Sequence, residues 1–476
     1  MSVLTTSRND ELSYDQISNG RRWFLLILAS IGSSIIYAPA YLKAVFYNPL
    51  QQALGVTNTE LGAVFGAYAI AALICYLPSG IIADKVRMRT LSSVGFLSTG
   101  VLTAVYAMLP SLGLLYAVFI LMGITTIFIW WGVRYKLVRL VSKEDEYPRR
   151  IGLSYGIYGV AGLLIGLVST AIVAIVGSNL KLGVSIYLWF LAIIILLLGV
   201  LSLLFIPKFA GEIKHEEGFH LSEFISAFRN PVVWIAAVSL FFVYFFYTGV
   251  TYTTPYMTGI LGASLAVTTI VANVRNYGIT LLSGPAFGFI ANKFKPSTTI
   301  MVGSLAFIVA LGALMILPEK SSVIVVALIL VILLGFIANG SFSVVSAQLT
   351  EGKVPLHYFG AATGLLSIIG FLPDTFSSTW FGAIMDGRTL RDGAGNVIND
   401  SAGNPIVQAS AYQIIFVILI VAAVLGALAS LVLFLYLRSK KPTDTPTVED
   451  VDWDAAMAQP VVTPPEFDHS DAARAF

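Results

Sequence analysis

Twelve runs of 20 or more mostly apolar residues limit the folds open to this 476-residue chain more than any other feature. An α-helix rises about 1.5 Å per residue, so each run can cross a hydrocarbon core about 30 Å thick. Backbone N–H and C=O groups in lipid have to pair internally, and the runs are therefore read as helices. They cover Trp23–Phe46, Glu60–Ala83, Thr90–Leu109, Leu112–Gly132, Ile151–Val176 and Val184–Ile206, then Val232–Met257, Leu265–Ile290, Thr298–Leu317, Val323–Leu349, Phe359–Phe381 and Tyr412–Leu437. With 57% hydrophobic and 11% charged residues, the chain is far from a soluble domain, where about a quarter of residues are charged. The first run is too long, and too well followed by others, for a cleaved signal peptide.

The second and eighth runs end alike. Pro78-Ser-Gly-Ile-Ile-Ala-Asp-Lys-Val-Arg-Met-Arg89 returns 208 positions later as Phe287-Gly-Phe-Ile-Ala-Asn-Lys-Phe-Lys295. Gly80, Ile82, Ala83 and Lys85 match Gly288, Ile290, Ala291 and Lys293, and Asn292 stands in place of Asp84. One half of the chain copies the other. The expected fold is an all-α membrane protein with twelve transmembrane helices in two pseudo-repeated six-helix bundles. The expected divisions are an N-terminal tail over 1–22, a first bundle over 23–207, a linker over 208–230, a second bundle over 231–437 and a disordered tail over 438–476.

The Gly80-x-x-x-Asp84-Lys85-x-Arg87 pattern after a second hydrophobic helix resembles the loop between helices two and three of the major facilitator superfamily. The resemblance covers residues 20–438 and implies two bundles moving about a central site. It also implies a gating role for Gly80, Asp84, Lys85 and Arg87, repeated at Gly288, Asn292 and Lys293, although Asn292 lacks the carboxylate that an ion pair would need. Within that superfamily, Trp131–Arg139, Arg275-Asn-Tyr277 and Pro373-Asp374 are similar to bacterial carriers of the organophosphate and sugar-acid type.

Two charges lie deep inside the apolar runs, away from their ends. Arg275 is ten residues into the eighth run, about 15 Å deep by helical rise. A cation there costs roughly 2.5 kcal/mol or more, so it should face a cavity or a partner. Asp374 follows Pro373 in the eleventh run, where the proline should kink the helix. Two readings stand open: Arg275 binds substrate while Asp374 is a coupling carboxylate, or the two form a permanent ion pair. Tyr244, Tyr247, Thr248, Thr251, Tyr252 and Pro255 recur at helical spacing on the seventh run, as Ser30, Ser34, Tyr37 and Tyr41 do on the first. Tyrosine offers an apolar ring and a hydroxyl donor, which suits a wet cavity, although ordinary helix packing uses the same residues. Asn339 is either a further cavity residue or a satisfied interhelical amide. Trp130 and Trp131 read as an interfacial aromatic belt, and Arg134 as a second candidate for an anion contact.

Cys75 is the sole cysteine, so an intrachain disulfide and a cysteine-based metal cluster are excluded. No phosphate-binding Gly-x-x-x-x-Gly-Lys-Ser/Thr loop and no His-Glu-x-x-His metal site occurs, so ATP-driven pumps and membrane metalloproteases are unsupported. No cofactor, metal or nucleic-acid partner is expected, and the chain is read as a monomer in a lipid bilayer. With the N-terminus inside, loops and tails on that side hold 22 of the 28 Lys and Arg residues, leaving Lys43, Lys181, Lys320, Arg388 and Arg391 outside and Arg275 in the membrane. Both termini are then cytoplasmic, in a plasma membrane or a bacterial inner membrane. The linker segment Leu221–Phe228 has helical amphipathic spacing, and the loop over 386–410 carries turn signals that suggest a small hairpin. The expected function is secondary transport of a small polar, anionic solute, coupled to an ion or proton gradient or to exchange. The alternatives are a proton-coupled carrier or exporter of a neutral or cationic solute, a channel, and a non-transporting membrane sensor.

Overall fold

The computed structural model describes residues 11–143, 146–176, 179–213, 221–355, 358–400 and 403–439. The tail beyond Ser439, expected to be disordered, lies outside the described residues, as do His215, Glu216, Glu217 and His220 of the linker. The first bundle comprises α1 (Asn19–Ile36), α2 (Tyr47–Leu54), α3 (Asn58–Lys85), α4 (Met88–Ala107), α5 (Leu112–Gly123), α6 (Trp131–Leu140), α7 (Tyr147–Val176) and α8 (Leu180–Phe205). A short α9 (Leu221–Arg229) leads into the second bundle. That bundle comprises α10 (Pro231–Gly249), α11 (Thr253–Gly259), α12 (Leu265–Asn273), α13 (Thr280–Phe294), α14 (Pro296–Met315), α15 (Ile324–Val345), α16 (Ala347–Glu351), α17 (Phe359–Gly370), α18 (Pro373–Asp386) and α19 (Ala409–Ser439).

Among the described residues, ten helical stretches are long and apolar enough to span a membrane. Two further crossings are broken or charged. The first is α1, which carries Arg21 and Arg22 and continues through a turn to Phe46; the second is α12–α13, interrupted at Arg275 by a π-helical turn over Val274–Gly278. The sequence repeat is a structural repeat. Shifting α4 by 208 positions lands on α14, and shifting α3 lands on α12–α13 to within one residue at each end.

Local chemistry sets the ends. Thr57 opens α3 with a capping box: its hydroxyl accepts from the Glu60 amide at 3.1 Å while Glu60 accepts from the Thr57 amide at 2.8 Å. Asn230 caps α10, whose first residue is Pro231. Pro373 divides the eleventh crossing into α17 and α18, as its missing amide requires. Trp130 is not the interfacial belt residue expected from sequence. It is 1% exposed, packs on Phe96 at 4.3 Å between centroids and donates to Ser33 at 3.2 Å, because the π-helical turn over Ile124–Ile129 rotates it into the bundle. The amphipathic α9 forms as expected and leaves Ile225 and Phe228 exposed.

The molecule has a terminal end, where α1 begins and α19 finishes, and a loop end, where residues 387–400 and 403–408 form short bridged turns pairing Thr389 with Val407, Arg391 with Val397 and Asn399 with Pro405. The bundles are closed on each other at the loop end. Gly62 and Gly66 of α3 meet the backbone of Ser378 and Thr375 of α18, and Gly382 meets the backbone of Asn58, so a β-carbon at any of them would collide. Asp386 then seals the N-terminus of α3, accepting from the Asn58 and Thr59 amides at 3.1 and 2.7 Å and from the Thr59 hydroxyl at 2.6 Å, where the helix dipole favours a carboxylate. The terminal end carries ion pairs of the first bundle and its flanking segments. There Asp84 pairs with Lys136 of its own bundle at 2.8 Å, and Arg87 pairs with Glu11 at 2.5 Å and Glu212 at 3.5 Å. Burial pushes the Glu212 carboxyl above its usual range, opposed by the Met88 and Phe209 amides and by Arg87, which favour the charged form.

Candidate functional site

Midway between the ends, an aromatic enclosure lies where the bundles meet. The first bundle supplies Tyr37 and Tyr41 from the end of α1 and Tyr68 and Tyr76 from α3; the second supplies Tyr244 and Tyr247 from α10, Phe342 from α15 and Phe371 from the α17–α18 break. Tyr76 reaches across the gap to Phe371 at 5.3 Å between centroids, and Tyr244 lies 4.8 Å from the same ring. Tyr247 stacks on Phe342 at 4.8 Å, and Tyr41 lies edge-on to Tyr68 at 5.7 Å. Tyr37 and Tyr68 are fixed by Thr126 of the π turn, donating to its carbonyl at 3.3 Å and lying 3.1 Å from its hydroxyl respectively.

The two charges read from the sequence do not pair. Asp374 is 5% exposed and accepts from the Tyr244 hydroxyl at 2.6 Å. Arg275, 2% exposed, is fully engaged elsewhere. Its Nη1 donates to the Val250 carbonyl at 3.0 Å and to Thr253 and Thr254 at 2.8 and 3.3 Å, its Nη2 to the Ala44 carbonyl of the first bundle at 3.0 Å, and its Nε to Asn276 at 3.3 Å. One of these acceptors, the Val250 carbonyl, lies where the seventh crossing breaks into a 3₁₀ turn over Val250–Tyr252. That break also divides the tyrosine stripe: Thr251 is half-buried within the turn, and Tyr252 points to the Ser378 carbonyl instead of joining Tyr244 and Tyr247. Asn339 donates to the Gly335 carbonyl at 3.0 Å and the Arg275 carbonyl at 3.4 Å, and accepts from Thr280 at 3.2 Å, which makes it an interhelical amide bracing the π turn.

Arg134 of α6 is the opposite of Arg275. It is 7% exposed, yet none of its nitrogens has a hydrogen-bond partner among the described residues, and Nε and Nη2 are wholly enclosed. Its guanidinium lies 4.2 Å from the centre of the Tyr155 ring, 5.1 Å from Tyr158 and 5.8 Å from Tyr135. Lys43, an external loop cation by its sequence position, is buried in the structure, 8% exposed, with its ammonium on the Ser378 hydroxyl and 3.8 Å from the centre of the Phe65 ring. The signal was available, since Lys43 falls inside the first apolar run and two residues after Tyr41. Nothing in the sequence marks Tyr68 and Tyr76, because the second run shows no polar stripe around them.

The family model of the Major Facilitator Superfamily matches residues 20–377. The chain belongs to the major facilitator superfamily. Among curated relatives, this superfamily member is similar to the inner membrane protein YqcE of Escherichia coli K12, 28% identical over 76% of this chain and 87% of that protein. It is also similar to the inner membrane protein YihN of the same organism, 25% identical over 77% and 88%. Its fold resembles a bacterial homologue of the human lysosomal transporter Spinster in an inward-facing conformation, with a TM-score of 0.67 at 15% identity over 90% of this chain and all of that one. The nucleoside transporter NupG gives a TM-score of 0.64 at 14% identity over 89% and 100%. The superfamily member described here is a multi-pass membrane transporter, not an enzyme, and its solute is a small molecule.

Proposed function

We propose that this transporter moves a small anionic solute by alternating access, with the solute's negative group on Arg134 and its body against the tyrosines of the enclosure. The observation that carries the reading is the enclosed, unpartnered guanidinium of Arg134. A buried cation is costly unless something compensates it, and a visiting carboxylate or phosphate supplies two matched acceptors for the guanidinium fork. Tyr155 and Tyr158 stabilise the cation in the interval through their ring faces. Tyr37, Tyr41, Tyr244 and Tyr247 offer rings and hydroxyls suited to a ring or polyol body. Coupling to a proton, to another ion or to exchange follows from the buried Asp374. That same carboxylate favours a second reading, in which the solute is neutral or cationic and Arg134 is structural.

The test is a thermal-shift screen of purified protein against sugar acids, phosphate esters and small carboxylates, followed by counterflow in liposomes. Saturable uptake of an anion is expected. Binding confined to neutral or cationic compounds would reject the anion, and binding without any uptake would favour the sensor.

The terminal end is assigned to the cytoplasm on the strength of the Lys and Arg distribution. A reporter fused after Ala394 should be external and one after Thr445 internal. An internal Ala394 reporter would reverse the assignment.

A further inference from the structure

Lys43 lies outside the anion reading, and its surroundings connect it to Asp374 instead. It belongs to the first bundle, in the short turn Leu42–Ala44 that follows α1, but its ammonium is lodged on Ser378 of the second. Ser378 is four residues after Asp374 on α18, so the two share one helix face and their side chains begin about 5–6 Å apart. The ammonium therefore lies one turn from the carboxylate and within electrostatic reach of it, without a direct ion pair.

We propose that Lys43 and Asp374 act as one proton-sensitive latch for the loop end: the ammonium stays lodged in the second bundle while Asp374 is ionised, and protonation of Asp374 releases it. Three features support this. The contact crosses the bundle boundary beside Gly62 and Gly66, where backbone meets backbone, so the loop end cannot open while Lys43 keeps its place. Burial leaves the ammonium with one hydroxyl, one ring face and the field of Asp374 as compensation, so loss of that field removes its chief stabilisation. Among the described residues, the Asp374 carboxylate accepts one hydrogen bond, from Tyr244, and a neutral carboxyl can still accept it through its carbonyl oxygen. The other titratable groups that face Asp374 are phenols: Tyr247 beside Tyr244 on α10, Tyr41 in the turn after α1, and Tyr68 and Tyr76 on α3. Phenols are neutral at working pH, which leaves Lys43 as the cation that reads the carboxylate's charge.

In the step itself, a proton from water bonds to a carboxylate oxygen of Asp374 and the pair passes from neutral to a net positive charge. The ammonium then withdraws toward the opening solvent. This rests on the alternating-access part of the proposed function and is independent of which solute is carried. Lys43 acts here as a positioning residue for Asp374.

The experiment uses full-length protein with Cys75→Ser and spin labels at Lys181→Cys and Ala394→Cys, exposed positions in the two bundles at the loop end. Pulsed electron resonance reads the distance between them from about pH 8 down to about pH 5. The unmodified latch should show a longer-distance population growing as pH falls. Asp374→Asn should show that population at every pH. Lys43→Met should abolish the pH response or move its midpoint by at least tenfold in proton concentration, and Lys43→Arg should keep it. A wild-type midpoint in Lys43→Met, or no response in the parent, overturns the latch. Should Lys43→Met fail to fold, Asp374→Asn decides alone: a closed, pH-responsive loop end there refutes the proposal. A second label pair at the terminal end separates the two ideas. If distances at both ends are fixed with and without solute, alternating access fails; if they move with solute but ignore pH, only the latch fails.

Discussion

Glutamine in place of Arg134 should weaken binding of the transported anion about 10- to 100-fold while leaving the empty protein as stable as before. Hydrogen bonds to a charged group are worth about 1.5–3 kcal/mol, which corresponds to that range of affinity. The empty protein gains nothing from the guanidinium by hydrogen bonding, since none of its nitrogens has a partner among the described residues. Relief of its desolvation offsets the ring contacts with Tyr155 and Tyr158, each about 0.5–2 kcal/mol. Calorimetric titration with the anion found by screening, beside thermal melting without it, measures both quantities. Unchanged affinity would remove Arg134 from the solute site. A large fall in melting temperature without ligand would make it structural.

Arg275→Ala should do the reverse. It removes the donor that satisfies the Ala44 carbonyl, while the Val250 carbonyl keeps the Thr253 hydroxyl, and a buried acceptor left unpaired costs about 1–3 kcal/mol, so the folded state should lose about that much. Arg275→Lys should recover part of this, because an ammonium can keep the Val250 and Thr253 contacts but cannot also span to Ala44. Gly335→Ala offers an independent check, since a β-carbon at Gly335 would strike the Arg275 side chain and displace it without altering its charge. Anion affinity of the folded fraction should change by no more than about threefold in all three, because none of the Arg275 hydrogen bonds goes to a residue of the proposed solute site. If Arg275→Lys melts like wild type yet no longer binds the anion, the solute site belongs at Arg275.

The two arginines also show where sequence reading stops. The all-helical membrane fold, the pseudo-repeat and the capping of α3 were legible, because each depends on the order of residues along the chain: run length, a 208-residue period, and a Thr and Glu three positions apart. Depth is likewise a property of one chain segment, so Arg275 and Asp374 could be found as buried charges. Whether a buried charge is satisfied depends on what other helices bring to it. Arg275 was answered by the Val250 carbonyl in the 3₁₀ break at Val250–Tyr252, by the Thr253 and Thr254 hydroxyls after it, and by Ala44 from the other bundle. Arg134 was left unanswered because the elements around it present tyrosine rings, and Lys43 was drawn inside because α18 carries a serine where the first bundle lands. Periodicity fixes which face a residue occupies, but the partners that meet that face come from sequence positions hundreds of residues away, and only the packing of the two bundles selects them.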